Sequence, residues 1–392
     1  MQYLQRACGF LGQPYLDFLA DFRFEPARHV HATFHPLAGS DKGEEEDGDD
    51  QVEGDVEITV KGLWVDTILY EIPLLALASE AYFRFVDTDW THDSQEDKAY
   101  AKGMRLLEAG CTFSEYGTRR RRDFKTHYLV IRGLMRARAD AEELGFAGRL
   151  SGTSNVHLAR EFGITPKGTV GHEWFMGVAA ITGYAQDAVT TALTYWLGCF
   201  GKNGGVWKVV PTDTFGTTVF LKSFRSPMDS TSVHSAEAGV YHDRQQTFAD
   251  AFIGVRHDSG DPLEFIETMR RFYDQENIKE RKTIVFSDSL NVASCLKYKG
   301  VAETAGFDTA FGIGTDFTND FARLGDAERS TPLNIVMKLR AAGGVPAVKL
   351  SDSTGKHSGD KGVIERVKTE MGYSVKSWQG NDESRRWGKN LY

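Results

Sequence analysis

His172 is the residue of this sequence that is best placed for chemistry. It follows the loop 164–169, which contains Pro166 and Gly168, and it precedes a predicted helix. The first N–H groups of a helix have no partner inside the helix, and they favour a bound phosphoryl group. The pattern therefore indicates a phosphoryl site. A histidine that caps the helix or packs in the core is an equally good interpretation.

Acidic side chains follow several predicted strands. Asp213, Asp258, Asp261 and Asp288 each come after a β-rich run, and Ser287 directly precedes the last of them. Carboxylates at neighbouring strand ends can hold ribose hydroxyls or magnesium–pyrophosphate, or stabilise a cationic sugar. We predict catalytic roles for Asp213 and Asp258, magnesium binding for Asp288 and substrate binding for Ser287. The alternative, for at least two of the four acids, is N-capping of the following helix.

Arginines and a glycine-rich turn could supply the complementary anion-binding groups. Arg256 lies among the acids, where it either forms an ion pair with a neighbour or binds a substrate carboxylate. Arg120 and Arg121 belong to a run of four arginines, for which we predict anion binding, with a solvent-exposed face as the alternative. Gly314 and Thr315 offer free N–H groups and a hydroxyl, which suit a phosphate.

These residues recur in a repeated pattern of β-rich run, polar turn and helix. The six runs end near Leu150, Val210, Val255, Phe286, Ile313 and Leu350. Such repetition is typical of βα units. Six units do not wind easily into an open sheet with one crevice, and their polar residues cluster after the strands. We therefore predict an α/β fold with a parallel barrel, whose chemistry gathers at the carboxyl ends of the strands.

The N-terminal part has a different pattern. Alternating residues at 30–34 and 56–60 predict two neighbouring strands, and apolar periodicity predicts helices over 67–85 and 97–109. Strands followed by helices indicate an α+β layer. A third long helix is predicted over 173–200.

These patterns predict two domains. An N-terminal α+β domain covers 1–125, and the barrel domain covers 126–360. The polar tail 361–392 is predicted to pack back on the first domain. Residues 225–250 interrupt the βα pattern, so we interpret them as a surface insertion.

Composition limits the function classes. With 41% hydrophobic and 26% charged residues, the chain has the composition of a soluble globular protein. No apolar run approaches the roughly 20 residues of a transmembrane helix, and the first ten residues lack the apolar core of a signal peptide. The four cysteines are scattered, which predicts reduced thiols in the cytoplasm, with the nucleus as a second possibility.

Most of the net charge of −9 comes from one segment. Residues 41–55 contain nine acids and one lysine, so the remaining residues sum to about −1. Such a body offers no nucleic-acid surface. The acidic segment itself is predicted to be a solvated, mobile loop.

Five stretches, in order along the chain, resemble motifs of nicotinate phosphoribosyltransferases of the fungal and bacterial branch. They are TILYEIPLLALASEAYFRF (67–85), FSEYGTRRRRDF (113–124), GTSNVHLAREFGITPKGTVGHEWFMG (152–177), GVRHDSGDP (254–262) and KLSDSTGKHSGD (349–360). Five long motifs in the family's order are far more specific than any one short pattern.

The resemblance implies a fold, a reaction and residue roles. The fold would be an irregular, incomplete TIM-like α/β barrel with an α/β layer built from both chain ends. The reaction would join nicotinate to phosphoribosyl pyrophosphate, giving nicotinate mononucleotide and pyrophosphate, with ATP hydrolysed through a phosphohistidine at His172 and with Mg²⁺ present. Thr169 and Arg256 would contact nicotinate, Arg256 through the carboxylate, and Thr315 would contact the phosphoribosyl substrate.

The resemblance also implies a homodimer whose sites are completed across the interface. Family members carry an N-terminal tyrosine that covers the nicotinate ring, and no such stretch occurs in 1–24, so we expect an N-terminally short chain; we do not transfer that role to Tyr3. Two alternatives stay open. One is a non-catalytic homologue that acts as a binding or dimer-partner subunit, and the other is a sister enzyme specific for nicotinamide or quinolinate.

Overall fold

The computed structural model describes residues 1–37, 52, 54–184, 187–201, 208–228, 245–353 and 356–374. Its α-helices are Gln2–Ala7, Gln13–Asp21, Pro26–His29, Trp64–Thr67, Glu71–Phe85, Gln95–Glu108, Phe124–Glu143, Val156–Glu161, His172–Thr182, Ala188–Phe200, Thr217–Phe224, Phe248–Ala251, Pro262–Gln275, Val292–Thr304, Thr315–Thr318 and Lys361–Met371. None of these described helices is both long and apolar enough to cross a membrane.

A six-stranded parallel sheet is the centre of the fold. In chain order the described strands of three or more residues are β1 (Val30–Pro36) and β2 (Gly54–Val60), then β3 (Thr112–Glu115), β4 (Arg149–Thr153), β5 (Val209–Pro211), β6 (Gly254–His257), β7 (Thr283–Phe286) and β8 (Asp308–Ile313). The last six form the sheet, in the order β4-β3-β8-β7-β6-β5. The predicted α/β class with parallel strands is therefore confirmed.

Short apolar runs form the middle of this sheet because helices cover it. Strand β7 is Thr-Ile-Val-Phe, with its last three residues buried. A run that is apolar on both faces is typical of a parallel sheet packed on both sides. The rings of Phe286 and Phe311 stack across β7 and β8 with centroids 5.6 Å apart. Because the strands are parallel, their carboxyl ends lie at one edge of the sheet.

The predicted strand pair of the N-terminal layer is confirmed. Strands β1 and β2 pair antiparallel, with Val30 opposite Val60. The predicted helix over 67–85 divides into a short helix, a 3₁₀ turn at Ile68–Tyr70 and the helix Glu71–Phe85. Pro73 lies in the first turn of that helix, where its missing N–H leaves no bond unmade.

One predicted strand was wrong, and one strand was missed. Val345–Pro346 pairs antiparallel with Ala341–Ala342 in a separate two-stranded sheet, so the run ending at Leu350 is not part of the six-stranded sheet. The sixth strand of the sheet is β3, which lies between β4 and β8. Ser114 and Glu115 are polar, so the sequence does not show a buried strand there, yet both are buried.

The helix predicted over 173–200 is two helices, His172–Thr182 and Ala188–Phe200. The first ends at Gly183, whose φ of 98° is a conformation that glycine adopts readily and other residues do not. The boundary between the two helices lies within a long apolar stretch of sequence, so hydrophobic periodicity alone did not predict it.

The predicted domain division stays a prediction. Strand β3 ends before the boundary at 125 and yet pairs with β4 and β8. The tail begins with the helix Lys361–Met371, whose Ile364 and Val367 are buried in the main core. Residues 375–392 lie outside the described residues.

Two further predictions fall largely outside the described residues. Most of the acidic segment 41–55 is not described, and neither is most of the predicted insertion 225–250. The mobile-loop and insertion hypotheses therefore stay predictions.

Candidate active site

His172 is the first residue of the helix His172–Thr182 and is 6% exposed. Its Nδ1 lies 3.0 Å from the hydroxyl of Thr214, and its Nε2 lies 2.8 Å from Asp258 Oδ2. Two cationic groups also face Nε2: Arg256 Nη2 at 2.9 Å and Lys349 Nζ at 3.3 Å. The ring thus contacts the ends of β5 and β6 and the segment that follows the sheet.

Burial and charge keep this imidazole neutral. Burial lowers the pKa of His172 to about 4, and the positive charge of Lys349 contributes further, against the opposite effect of Asp213. Arg256 and Lys349 are donors only, so their approach favours the tautomer in which Nδ1–H donates to Thr214 and Nε2 keeps its lone pair. Asp258 favours the other tautomer. A neutral ring with an available lone pair on Nε2 can attack a phosphoryl group.

Two carboxylates lie beside the ring: Asp213 is buried and Asp258 is half-buried. Lys349 Nζ lies 3.2 Å from Asp213 Oδ2, which also accepts a 2.6 Å hydrogen bond from Ser259. Burial by itself would raise the pKa of both acids. Lys349 nevertheless holds the pKa of Asp213 below its ordinary value, and Arg256 does the same for Asp258. Both carboxylates are therefore ionised at neutral pH.

Arg256 connects the histidine to the predicted nicotinate position. Its Nη1 donates to the hydroxyl of Thr169 at 2.5 Å and to the carbonyl of Val170 at 3.3 Å, while Nη2 approaches His172 and, at 3.4 Å, Asp258. Its Nε is buried and has no hydrogen-bond partner among the described residues. An unpaired buried guanidinium N–H is costly, and an anionic ligand would satisfy it.

Ser287 and Asp288 extend the site along the end of β7. Ser287 Oγ donates to Asp258 Oδ1 at 2.7 Å, and Asp288 Oδ1 lies 3.1 Å from Lys356 Nζ. Lys356 also donates to the carbonyl of Asp258 at 3.1 Å. The substrate role of Ser287 stays a prediction, and its position supports that role.

Thr315 and Gly314 follow β8, two strands away from β6 in the sheet. Adjacent strands are spaced by about 4.8 Å, so the two strand ends are roughly 10 Å apart. Tyr116 fills the space beside this turn: its backbone N–H donates to Ile313 at 2.7 Å, and its ring lies against Gly312. Thr315 is therefore at the same edge as His172, but not in contact with it.

The arginine run divides among several roles. Arg120 donates to the carbonyl of Ile335 at 3.1 Å, and Arg121 lies 3.7 Å from Glu80. Arg122 is fully buried with its guanidinium 3.7 Å from the ring centre of Phe83, so a solvent-exposed face is wrong for that residue. Anion binding by Arg120 and Arg121 stays a prediction.

The possible metal ligands differ from the predicted one. Within the described residues, one ligand atom from each of His172, Asp213 and Asp258 lies within 4.8 Å of the others. Asp213 Oδ1 is buried without a hydrogen-bond partner in the described chain. Mg²⁺ is commonly held by one or two carboxylates together with substrate phosphates, which these two acids fit. Asp288 stays a predicted ligand, but its contact with Lys356 makes it the weaker candidate.

Among the four acids, Asp261 is the one whose side chain accepts N–H groups of the next helix, from Leu263 and Glu264 at 2.7 and 3.0 Å. For Asp213 and Asp258 the capping alternative is not what the structure shows, since their oxygens face His172 and Lys349.

Sequence reasoning missed Lys349, Lys356 and Thr214. Both lysines lie in the stretch 349–360 that carries the family resemblance, but we assigned them no role. The available signal for Lys349 was a lysine inside the apolar run that ends at Leu350. Thr214 had no signal, because only the fold brings it to His172.

The fold and the site together define an α/β enzyme for anionic substrates. A neutral, buried imidazole, two cationic side chains and two carboxylates meet at the carboxyl edge of a parallel sheet, which is where such folds bind phosphorylated ligands.

Comparisons with known proteins identify the family. Residues 111–375 match the Nicotinate phosphoribosyltransferase (NAPRTase) family, and residues 1–79 match its N-terminal domain. The chain is 44% identical over 336 residues to a nicotinate phosphoribosyltransferase of Saccharomyces cerevisiae, covering 85% of this chain and 73% of that protein. The chain belongs to the nicotinate phosphoribosyltransferase family.

Solved structures agree with this assignment. A crystal structure from Saccharomyces cerevisiae superposes with a TM-score of 0.83 at 38% identity, covering 95% of this chain and 83% of that one. The structure of a nicotinate phosphoribosyltransferase from Porphyromonas gingivalis gives a TM-score of 0.75 at 33% identity, with the same coverage.

Proposed function

We propose that this protein forms nicotinate mononucleotide and pyrophosphate from nicotinate and phosphoribosyl pyrophosphate, with hydrolysis of ATP through a phosphohistidine at His172. The observation that carries the proposal is the contact between Arg256 and His172, 2.9 Å from Nη2 to Nε2. One guanidinium thereby reaches both the atom to be phosphorylated and Thr169, the predicted nicotinate contact.

This contact gives ATP hydrolysis a way to act on substrate binding. Nε2 of His172 attacks the γ-phosphorus of ATP, and ADP leaves. The new phosphoryl oxygens lie where Lys349 and Arg256 now face Nε2, so both cations gain an anionic partner. Arg256 is then fixed beside Thr169, with its remaining N–H groups available to a carboxylate. Hydrolysis to inorganic phosphate returns the ring to its neutral state.

The transfer itself needs electrostatic support more than proton transfer. The pyridine nitrogen of nicotinate forms a bond to the anomeric carbon, and the bond to pyrophosphate breaks. Pyrophosphate is a good leaving group, so stabilisation of the cationic sugar dominates. Asp213 and Asp258 are ionised and supply negative charge at this edge. Bound Mg²⁺ would neutralise the pyrophosphate, with Asp213 and Asp258 as its protein ligands.

The Arg256 guanidinium favours nicotinate over the alternative pyridines. Nicotinamide has no carboxylate to satisfy the unpaired Nε, and quinolinate has two carboxylates and would need more cations than Arg256 offers. The three compounds should be assayed side by side with phosphoribosyl pyrophosphate and ATP. We expect product from nicotinate, and a preference for either of the others would reject this specificity.

A label-transfer experiment tests the phosphohistidine. Incubation with γ-labelled ATP should give acid-labile, base-stable label on the protein. Absence of label in a preparation that turns over nicotinate would reject the role of His172. Absence of both label and turnover would support the alternative of a non-catalytic homologue.

The finer architecture and assembly belong to the same proposal. We infer that the open sheet is the wall of an incomplete TIM-like barrel, with β4 and β5 as its outermost strands. We also infer a homodimer, because Leu63, Val65 and Leu77 present exposed apolar side chains along the N-terminal helices. Analytical ultracentrifugation should give twice the chain mass. A monomer at assay concentration, in an active preparation, would contradict the dimer.

A further inference from the structure

Glu115 is a fully buried carboxylate at the end of β3, and the proposed chemistry gives it no role. His127 Nε2 lies 2.7 Å from its Oε2, and Thr153 Oγ1 donates to the same atom at 2.5 Å. Its other oxygen, Oε1, accepts the backbone N–H of Gly117. His127 and Thr153 are fully buried as well. Three donors therefore converge on one carboxylate inside the protein.

This carboxylate is ionised despite its burial. Burial acts to raise the pKa of Glu115, but His127, Thr153 and the N–H of Gly117 together outweigh it and hold the pKa below the ordinary value. A buried charge held in this way is a weak source of stability, because desolvation offsets most of the attraction. Its main structural consequence is the geometry that it imposes on its donors.

Hydrogen bonds of Glu115 and of the neighbouring Gly117 link the segments at the ends of β3, β4 and β8. Thr153 ends β4, and the backbone of Ser154 donates to the carbonyl of Glu115 at 2.8 Å. On the other side, Thr318 Oγ1 donates to the carbonyl of Gly117 at 3.0 Å, just beyond the end of β8. A Cβ on Gly117 would lie 2.2 Å from Thr318 Oγ1 and 2.8 Å from Glu115 Oε1. The turn at Gly117 therefore has no room to shift toward either neighbour.

The turn fixed by Glu115 borders the Gly314–Thr315 turn. A Cβ on Gly314 would lie 3.3 Å from the carbonyl oxygen of Tyr116, and the Tyr116 ring packs on Gly312. A displacement of Gly117 would move Tyr116 and, with it, the wall beside Thr315. Two contacts thus link Glu115 to the Gly314–Thr315 turn: the hydrogen bond from the N–H of Gly117 to the Glu115 carboxylate, and the approach of the Tyr116 carbonyl to Gly314.

We propose that Glu115, supported by His127 and Thr153, is a positioning residue for the phosphoribosyl substrate: its carboxylate sets the separation between the Tyr116–Gly117 turn and the Gly314–Thr315 turn. The proposal rests on the proposed function and on the predicted contact of Thr315 with that substrate. It predicts that substitution of Glu115 weakens the binding of phosphoribosyl pyrophosphate. The phosphorylation of His172 should not change, because His172 lies at the ends of β5 and β6.

The test is the isosteric variant Glu115→Gln, which keeps the volume but presents an amide N–H₂ to donors. We expect KM for phosphoribosyl pyrophosphate to rise about tenfold or more, the size expected when hydrogen bonds to a charged group are lost. Labelling of His172 by γ-labelled ATP should stay within about threefold of the unchanged protein.

The matched control is Lys282→Met, at the opposite edge of the same sheet. Lys282 is 3% exposed and donates to the carbonyls of Asp250 and Phe252. Its loss should lower the thermal midpoint without changing KM for phosphoribosyl pyrophosphate. A lower thermal midpoint with unchanged KM in Glu115→Gln as well would overturn the proposal, because Glu115 would then be structural only.

Thr153→Val provides a second measurement that leaves the carboxylate in place. It removes one donor, so KM for phosphoribosyl pyrophosphate should rise about threefold. If Glu115→Gln fails to fold, this variant decides: an unchanged KM overturns the proposal. The unchanged protein is assayed in parallel, and if it forms no product from phosphoribosyl pyrophosphate, the proposed function fails rather than the role of Glu115.

Discussion

Among the described residues, two histidine–carboxylate pairs lie at the carboxyl edge of the six-stranded sheet. His172 and Asp258 lie near the ends of β5 and β6, and His127 and Glu115 lie near the ends of β3 and β4. The nitrogen–oxygen distances are 2.8 and 2.7 Å, so the pairs are alike in local geometry. Their surroundings differ in two respects, charge and access.

Charge is the first difference. His172 Nε2 is faced by Arg256 and Lys349, which leave the ring neutral and can balance an added phosphoryl group. The Glu115 carboxylate is instead surrounded by neutral donors from Thr153 and the backbone in addition to its histidine.

Access is the second difference. The Asp258 side chain is 26% exposed, whereas Glu115 and His127 are fully buried. A ligand can therefore reach the first pair but not the second. The comparison teaches that a histidine–carboxylate pair does not define a function by itself; the groups around it decide between nucleophile and support.

The largest expected effect separates the two histidines. His172→Ala should abolish labelling by γ-labelled ATP and lower ATP-dependent turnover by about 100-fold or more, as when a nucleophile is removed. His127→Gln, which keeps a donor near Glu115, should retain label. Equal loss of label in both variants would break the comparison.

The next largest expected effect concerns Arg256, which contacts His172 and is predicted to bind nicotinate. Arg256→Ala should raise KM for nicotinate by about 10- to 100-fold, since a charge-assisted hydrogen bond contributes roughly 1.5–3 kcal/mol. KM for phosphoribosyl pyrophosphate should change much less. Arg281→Ala, an exposed arginine paired with Asp308, is the control. Equal increases for both substrates would count against the role of Arg256.

The pH dependence of labelling gives an intermediate effect. Because the pKa of His172 lies near 4, labelling should be nearly constant from pH 8 to about 5 and should fall below that as the ring takes up a proton. Lys349→Met removes a positive charge that lowers this pKa, so the acid limb should move to higher pH. If the acid limb of the Lys349→Met variant occurs at the same pH as in the unchanged protein, Lys349 does not affect the pKa of His172.

The same shift has a consequence for stability. A histidine with an ordinary pKa near 6.5 in the unfolded chain and about 4 in the folded protein binds more protons when unfolded. The free energy of unfolding should therefore fall as pH drops from about 6.5 toward 4, and His172→Ala should make this slope smaller. Urea titrations across this range would measure it.

The smallest expected effect comes from Thr214, whose hydroxyl orients the His172 ring. Thr214→Val removes the hydroxyl that lies 3.0 Å from Nδ1 of His172. A single neutral hydrogen bond contributes about 1 kcal/mol, so the labelling rate should fall about fivefold. A loss as large as that of His172→Ala would mean that Thr214 does more than orient the ring.

Much of the fold could be predicted from local patterns. Five of the six predicted β-rich runs are strands of the sheet, because an apolar run followed by a polar turn depends on neighbours in sequence. The predicted placement of His172 at a helix start is also local. Strand β3 was not predicted because Glu115, in the sequence, resembles a solvent-exposed residue. In the structure it is buried, and its side-chain hydrogen-bond donors are distant in sequence.

The sequence by itself determined the parallel α/β class, the position of His172 and the family motifs. The tertiary structure alone decided that Lys349 would meet His172 across 177 positions of the chain, and that Glu115 would be closed off by Thr153. The physical reason is that hydropathy patterns report contacts with solvent and with near neighbours. The charge around a titratable ring is set by side chains that only the folded sheet brings within a few ångströms of it.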